Sequence, residues 1–493
     1  MNNFITFGSP AVFELAARWT EDKEPRSNLP RLEGWSTGDI RITVGGQVLT
    51  ANKYNGRAKN HISWYLAPLV EWFIANWTWL FHEESYSWND RSGQPAALET
   101  LSAIERTIGS QDVSGIDEYE KVQSWWMRHA LRAADSSAVY PDVYFRRVVD
   151  DIEISWQSRQ PAYAPESFAL MLAPGYMLLP VNSVAEPIWK FLEWATRPSE
   201  SLSETDQEAI AHLRSKLELL RSVPLSKMEL TYINSKVRDV LQAARAAVGW
   251  ETQSKMANFI PAIDELDSSV LMFGGLDVEI RKKDAVTLMQ LLTDQKNGDD
   301  TPELTCLISD PFPGGWSRPF EEGYTLANDL RDELAIEPDQ IFVDIFKVLD
   351  SLGITIVETR LETNLIRGVA IAGNGFSPAI LVNTNSVYNF STAGKRFTLA
   401  HELCHVLYDR TRAKRLSHVS GPWTAARTEK RANAFAAMFL ASTSALKNLL
   451  LTISPNEIHR LSEIYGLSYT SLVEHLYNVR LINDAQRESL RPQ

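Results

Sequence analysis

The sequence predicts a multidomain α+β protein, and three observations lead to this prediction. The chain has 493 residues, more than one ordinary domain holds. Hydrophobic residues make up 44% of the chain and charged residues 23%, a globular composition with apolar material for more than one core. Along the chain, hairpin patterns, helical spacing and a later set of short strands follow one another.

Two hairpins and a helix characterise the N-terminal part. Polarity alternates on both sides of Gly45-Gly46, and paired glycines favour the tight turn of a hairpin. A second alternating segment has its predicted turn at Asp150-Asp151. Helical spacing between them, in residues 119–134, makes this part mixed α+β.

The most apolar stretch, residues 61–81, is predicted to be a buried helix rather than a membrane span. Glu71 places a charge inside it and Pro68 interrupts it, and its aromatic residues are spread throughout instead of marking the ends. The first residues of the chain lack a basic start and a long apolar run, so no secretory signal is expected.

Linker-like composition separates the later regions. From about residue 165 the spacing turns helical, and Gly, Pro and Asp then concentrate shortly before residue 320. The expected division is a mixed α+β domain at 1–165, a mainly helical region at 166–300, a linker at 301–320 and a C-terminal domain at 321–493. For the N-terminal region, a sensing or substrate-recruitment role is a hypothesis.

Charge and cysteine content limit the functional classes. The formal net charge is −13, which argues against broad binding to nucleic acid or anionic membranes. The two cysteines, Cys306 and Cys404, give no disulfide framework. A cytoplasmic protein without direct nucleic-acid contacts is therefore expected.

The clearest chemical motif is H-E-x-x-H at residues 401–405. On a helix, His401 and His405 lie one turn apart on the same face, where both imidazoles can bind one Zn²⁺ ion. Glu402 then lies beside the metal as a general base for a water molecule. The same donor types also suit other divalent ions.

A third protein ligand is expected because a catalytic zinc site usually has three and keeps one open position. Glu429 is favoured, since Ala432, Asn433 and Ala436 would let its helix pack closely against the first. His418 is the alternative, but its pattern predicts a polar loop and its spacing from the first motif is too long for a third-histidine arrangement.

The sequence around these residues resembles the ImmA/IrrE metallopeptidase family. The resemblance rests on RFTLAHELCHVLYD, the following EKRANAFAAMFLAS, the preceding strand SPAILVN and the tail GLSYTSLVEHLYNVRLI. It covers residues 322–484. Two departures are Cys404, where the family commonly has glycine, and residues 440–442, which lack a frequent proline.

The resemblance implies a zincin-like, gluzincin-type domain with a small sheet and an H-E-x-x-H helix. Carried over, His401 and His405 are the histidine ligands, Glu429 is the third ligand and Glu402 is the general base. Members are bacterial or phage cytoplasmic proteases, and several cleave a helix-turn-helix repressor to switch on stress, mobile-element or defence genes. The implied partner is such a repressor, encoded nearby.

Substrate binding is expected along a strand before the active helix, since extended peptides add to sheet edges. The candidate edge strand consists of Ala379, Ile380, Leu381, Val382 and Asn383. The C-terminal helices have the spacing of a helix-turn-helix, but acidic residues accompany their few basic ones, which favours a bracing role.

Two functions follow from the sequence. The first is an intracellular zinc endopeptidase acting on a specific regulatory protein in stress, mobile-element or phage-defence control. The second is a non-proteolytic regulator, or a toxin–antitoxin or defence component, that keeps the zinc site for binding or structure. An intact Glu402 favours the first, because a structural site needs no base there.

Overall fold

The computed structural model contains helices and several small sheets, and it is a mixed α+β protein as predicted. Contacts between residues divide the chain into two compact units. The first unit comprises Met1–Tyr232 and Gln253–Asp267, and the second comprises Ile233–Thr252 and Ser268–Gln493. The structure describes residues 3–21, 34–88, 94–109, 113–197, 202–257, 259–309, 318–373, 375–410, 415–421, 423–424 and 426–491.

These units do not follow the boundaries expected at residues 165, 300 and 320, because the second unit includes two segments from the region expected to be helical. The expected domain division stays a prediction. Of the expected linker, residues 310–317 lie outside the described residues, and Pro302–Thr305 forms a short helix.

The first unit contains thirteen described strands and six described α-helices. Its strands are β1 (Ile5–Gly8), β2 (Phe13–Trp19), β3 (Thr37–Val44), β4 (Gln47–Val48), β5 (Asn52–Tyr54), β6 (Arg57–Lys59), β7 (Ile62–Tyr65), β8 (Asp142–Val148), β9 (Asp151–Gln157), β10 (Phe168–Leu170), β11 (Gly175–Pro180), β12 (Lys255–Met256) and β13 (Ile263–Glu265). Its helices are α1 (Ala67–His82), α2 (Ala96–Gly109), α3 (Val113–His129), α4 (Val181–Ala195), α5 (Glu204–Arg221) and α6 (Leu225–Tyr232).

The first unit is built from small antiparallel sheets around a buried helix. One sheet has the order β1-β2-β3-β4 with β7 also paired to β3, and the others are β10-β5-β6, β11-β9-β8 and β12-β13. The apolar stretch predicted to be a buried helix forms α1, which begins with Pro68 in its first turn and contributes Trp77 and Phe73 to the core.

Both predicted hairpins are present. Strands β3 and β4 pair across Gly45 and Gly46, whose φ angles of 56° and 82° suit the hairpin turn. Strands β8 and β9 pair from Val148 opposite Asp151, so that turn lies one residue earlier than predicted. Strands β10 to β13 were missed, because they are short and lie in the region whose pattern predicted helices.

The described residues of the second unit form one sheet and many helices. Its strands are β14 (Thr355–Thr359), β15 (Gly368–Gly373), β16 (Ala379–Asn383) and β17 (Arg415–Ser420). Its helices are α7 (Arg238–Val248), α8 (Ser268–Gly274), α9 (Lys282–Gln295), α10 (Pro302–Thr305), α11 (Pro319–Glu333), α12 (Ile345–Ser351), α13 (Thr392–Tyr408), α14 (Ala426–Leu440), α15 (Thr443–Leu449), α16 (Pro455–Tyr465), α17 (Tyr469–Asn478) and α18 (Asp484–Leu490).

The sheet of the second unit has the strand order β14-β16-β15-β17. Strand β16 pairs in parallel with β14 and antiparallel with β15, so both of its edges are occupied. The expectation that Ala379–Asn383 is an edge strand open to substrate is therefore wrong, and all five of its residues are buried. The strand at the end of the sheet nearest the candidate site is β17, which sequence reasoning read as a loop.

Helix α13 packs against β15 and α14, and their apolar residues form one continuous core. That arrangement places the H-E-x-x-H motif between the sheet and α14. Among the described residues, no helix is both long enough and apolar enough to cross a membrane.

Candidate metal centre

Helix α13 presents its two histidines to the interior of the second unit. Ser391 caps the helix by accepting a hydrogen bond from the backbone of Gly394. Leu399 and Leu403 anchor it in the core. Within this packed helix, the side chains of His401, Glu402 and His405 are all fully buried. Burying three ionisable side chains together is costly unless they share a partner.

The two imidazole rings converge on one point. The Nε2 atoms of His401 and His405 lie 3.0 Å apart, and the ring planes are inclined at 71°. This distance is close to the separation of about 3.4 Å between two nitrogens that each bind one zinc ion at about 2.1 Å in tetrahedral geometry. The predicted i and i+4 arrangement is thus present.

Each histidine has a second partner that fixes which nitrogen carries the proton. Nδ1 of His401 lies 3.1 Å from Oδ1 of Asn433, and Nδ1 of His405 lies 2.7 Å from Oδ2 of Asp409. Both partners accept hydrogen bonds, so each Nδ1 donates and each Nε2 keeps its lone pair. Oriented imidazoles of this kind are typical of metal ligands.

Glu429 joins the two histidines from helix α14. Its Oε2 lies 3.5 Å from Nε2 of His401. One donor atom from each of Glu429, His401 and His405 lies within 4.8 Å of the other two. Asn433 follows Glu429 by one helical turn, so α14 supplies both a donor and the support for His401.

The residues present fit a divalent cation. Two nitrogen lone pairs that face each other at 3.0 Å repel unless a positive charge lies between them. One carboxylate oxygen completes the set, and the other, Oε1 of Glu429, is buried without a hydrogen-bond partner among the described residues. Two imidazoles and a carboxylate are a donor set that zinc accepts.

Glu402 lies next to this group without being part of it. Both of its carboxylate oxygens are buried, and the hydroxyl of Ser420 lies beside them. Burial raises the pKa of Glu402 to about 8, and the charge of Glu429 acts in the same direction. A buried carboxyl group with a raised pKa beside a cation site is suited to proton transfer.

The backbone beside Glu402 has no room for a side chain. A Cβ atom at Gly368, the first residue of β15, would lie 2.5 Å from Oε1 of Glu402. Glycine at this position therefore allows the carboxylate to lie against the strand.

A network of charged side chains contacts His405 on the Nδ1 side of its ring. Burial opposes ionisation of Asp409, but Arg431 and His405 hold the pKa of its carboxyl well below the ordinary value. Arg431 pairs with Asp409 and also lies 3.5 Å from Glu322 of α11. Asp409 is therefore an anion at neutral pH, and it keeps the Nδ1 proton on His405.

His418 is not in a loop, as the sequence suggested, but in strand β17 beside the site. Its ring centroid lies 4.3 Å from that of His405. Its Nε2 is buried and has no hydrogen-bond partner among the described residues. Burial and the neighbouring His405 lower the pKa of His418 to about 4. It lies outside the compact group formed by His401, His405 and Glu429.

Sequence reasoning also missed Arg367, which precedes β15. Its Nε donates to Thr398 at 3.0 Å, and its Nη1 lies 3.3 Å from the same Asn433 oxygen that supports His401. Burial lowers the pKa of Arg367, while the carboxylates of Glu402 and Glu429 act in the opposite direction. Its guanidinium thus supplies positive charge close to the carboxyl groups of Glu402 and Glu429.

The two departures from the family pattern leave these donors in place. Cys404 is fully buried in the apolar core, and burial raises the pKa of its thiol. Helix α14 ends at Leu440 without a proline, and Ser442 caps the next helix by accepting a hydrogen bond from Ala445. Strand β16, which the sequence predicted to be an edge strand, has a structural role instead, because the Asn383 side-chain amide donates hydrogen bonds to nearby backbone carbonyls.

Comparison with known proteins identifies the C-terminal segment. Residues 349–477 match the model of a peptidase family described as the IrrE N-terminal-like domain. The resemblance to the ImmA/IrrE family is confirmed for this segment, which includes every member of the candidate metal centre. Peptidases of this family are generally zinc-dependent. No curated protein matches the chain significantly.

Proposed function

We propose that this protein is a zinc-dependent endopeptidase whose active site consists of His401, His405, Glu429 and Glu402. One observation carries the proposal. Two buried imidazoles direct their Nε2 lone pairs at the same point, each is held through Nδ1 by a separate acceptor, and the buried carboxyl group of Glu402 adjoins them.

The residues divide the work of peptide hydrolysis among them. His401, His405 and Glu429 would hold the cation, and Asp409 and Asn433 would orient the two imidazoles. A bound zinc ion supplies Lewis acidity to the scissile carbonyl and to the attacking water. Glu402 takes a proton from that water and returns it to the departing amine nitrogen. The fold supporting this site is, in this proposal, zincin-like and gluzincin-type.

The proposed substrate is a specific regulatory protein, such as a helix-turn-helix repressor encoded nearby, and the proposed setting is the bacterial cytoplasm. Control of stress, mobile-element or phage-defence genes then follows from destroying that repressor. This part of the proposal is supported by the family match alone. The first unit would sense a signal or recruit the substrate, and deleting it should then change substrate choice or regulation.

Metal content and proteolysis, measured on the same preparations, test the proposal. We would express the wild type, Glu402→Gln and His405→Gln with neighbouring genes, and measure zinc by mass spectrometry. The exposed Glu463 on α16 provides a matched control as Glu463→Gln. We expect about one zinc ion per chain in wild type, Glu402→Gln and the control, and little in His405→Gln.

Cleavage of a neighbouring protein should occur only with the wild type and the control. Zinc in Glu402→Gln together with continued cleavage would refute the role of Glu402. Equal zinc contents in wild type and His405→Gln would refute the metal site. A phenotype that persists in Glu402→Gln would instead support the non-proteolytic regulator.

A further inference from the structure

Strand β17 carries His418, which lies beside the candidate metal centre and has no role in the reaction proposed above. It pairs with β15 so that Ser420 lies opposite Gly368, and His418 lies opposite Ala370. Side chains two residues apart on a strand share a face. Because Gly368 touches Glu402, the face with Ser420 and His418 is the one turned towards α13.

The ring of His418 packs against His405 at a centroid distance of 4.3 Å and an angle of 41°. Its Nε2 is buried, and no hydrogen-bond partner exists for it among the described residues. Leaving such a group unsatisfied costs about 1–3 kcal/mol. A side chain that lowers stability in this way, next to a reaction centre, is a candidate for binding what enters that centre.

The set of three donor residues explains why Nε2 of His418 could contact a substrate. A catalytic zinc with three protein ligands keeps a position open for water and substrate. His418 adjoins His405 but does not belong to the compact group of donor atoms. It therefore lies beside the three donor residues rather than among them.

We propose that His418 is a further catalytic residue that donates its Nε2 proton in a hydrogen bond to the carbonyl oxygen of the scissile peptide, an inference that rests on the proposed peptidase function. As the water oxygen bonds to the carbonyl carbon, the carbonyl π electrons move onto the oxygen that His418 contacts. Glu402 accepts the proton of the water. When the carbon–nitrogen bond breaks, Glu402 returns that proton to the amine nitrogen, and His418 keeps its own.

Binding of a transition-state mimic tests this role without requiring the natural substrate. The probe is an N-blocked phosphinic dipeptide with apolar side chains, whose tetrahedral phosphinate carries the charge that the reacting carbonyl develops. Full-length protein would be loaded with Co²⁺, since its visible spectrum reports the ligands. Variants are His418→Phe, which removes the donor, and His418→Gln, which retains an N–H. The exposed His459 on α16 provides the control His459→Gln.

We expect all three variants to keep the Co²⁺ affinity and spectrum of the wild type. Phosphinate affinity should fall about 10- to 100-fold in His418→Phe, partly recover in His418→Gln and stay unchanged in His459→Gln. Unchanged phosphinate affinity in His418→Phe would overturn the proposal.

Three other outcomes would also overturn the role of His418 or the proposed function. An altered Co²⁺ spectrum with weaker metal binding in both His418 variants would make His418 a metal ligand and overturn its proposed role. Wild type that binds Co²⁺ but not the phosphinate would overturn the role of His418 while leaving the metal site intact. Failure of the wild type to bind metal would overturn the proposed function itself.

Discussion

The support of His405 by Asp409 allows a quantitative prediction. Oδ2 of Asp409 accepts from Nδ1 of His405 at 2.7 Å, a short distance that fits an ionised acceptor. Asp409→Ala removes this acceptor, so the imidazole loses its orientation and its preferred tautomer. We therefore expect zinc to bind more weakly, although every ligand remains.

The expected loss of zinc affinity follows from the strength of the hydrogen bond that each variant removes. Loss of an outer partner of a metal-bound histidine typically costs 10–100-fold in affinity, which corresponds to about 1.4–2.7 kcal/mol. Asp409→Asn keeps an acceptor without the charge, and since charge-assisted bonds are about twice as strong as neutral ones, we expect about 3–10-fold. Asn433→Ala removes the neutral 3.1 Å contact to His401 and should resemble Asp409→Asn.

Competition with a chromogenic chelator measures zinc affinity for each purified variant. Asp409 also pairs with Arg431, so a control must disturb that arginine while leaving Asp409 in place. Glu322→Gln weakens the contacts of Glu322 with Arg431 and with Arg427 without touching His405, and we expect less than about a twofold change. The reasoning is refuted if Asp409→Ala binds zinc as tightly as the wild type, or if Glu322→Gln weakens binding equally.

Three further predictions concern the site and its support. Gly368→Ala places a Cβ 2.5 Å from Oε1 of Glu402. Proteolysis should therefore fall at least about 10-fold, while the zinc content of the protein stays unchanged. A loss of zinc, or full activity, would contradict this prediction. His475 is buried, with Nε2 bonded to the Ala441 carbonyl at 2.8 Å, and burial lowers its pKa to about 4. The unfolded histidine takes up a proton near pH 6.5 and the folded one does not, so stability is lost as the pH falls below 6.5. Between pH 7 and pH 5, the free energy of unfolding should therefore drop about 2 kcal/mol more in wild type than in His475→Gln. Urea titrations at both pH values measure this, and equal drops would disprove it. Leu381→Pro lies in the internal strand β16, so it should destabilise the second unit by about 3 kcal/mol or more and remove zinc binding as well as activity; a folded variant that binds zinc would contradict the internal position.

Local patterns were sufficient for much of the site. The H-E-x-x-H spacing places His401 and His405 on one helical face wherever the helix packs. Glu429 could be predicted from its own helix and from the family resemblance. Asp409 was within reach as well, since it follows His405 by one turn, but a carboxylate at that spacing also occurs on solvated helix faces.

The order of the strands in the sheet could not be predicted from the sequence. The pattern of Ala379–Asn383 predicts a strand correctly, yet nothing in it tells whether one or both edges are paired. Strand β17 was missed because Arg415–Ser420 is short and rich in polar residues, and it becomes a strand by pairing with β15. Pairing between distant segments decides both points.

The sequence by itself determined the mixed α+β class of the chain, the helices that carry the motif, and the spacing of His401, Glu402 and His405. Those features depend on contacts between residues three or four positions apart, which the order of amino acids specifies directly. Only the tertiary structure decided that Asn433 supports His401, that Gly368 makes room for Glu402, and that His418 adjoins His405. Each of these contacts joins separate elements, and the packing of the sheet and α14 around α13 brings them together.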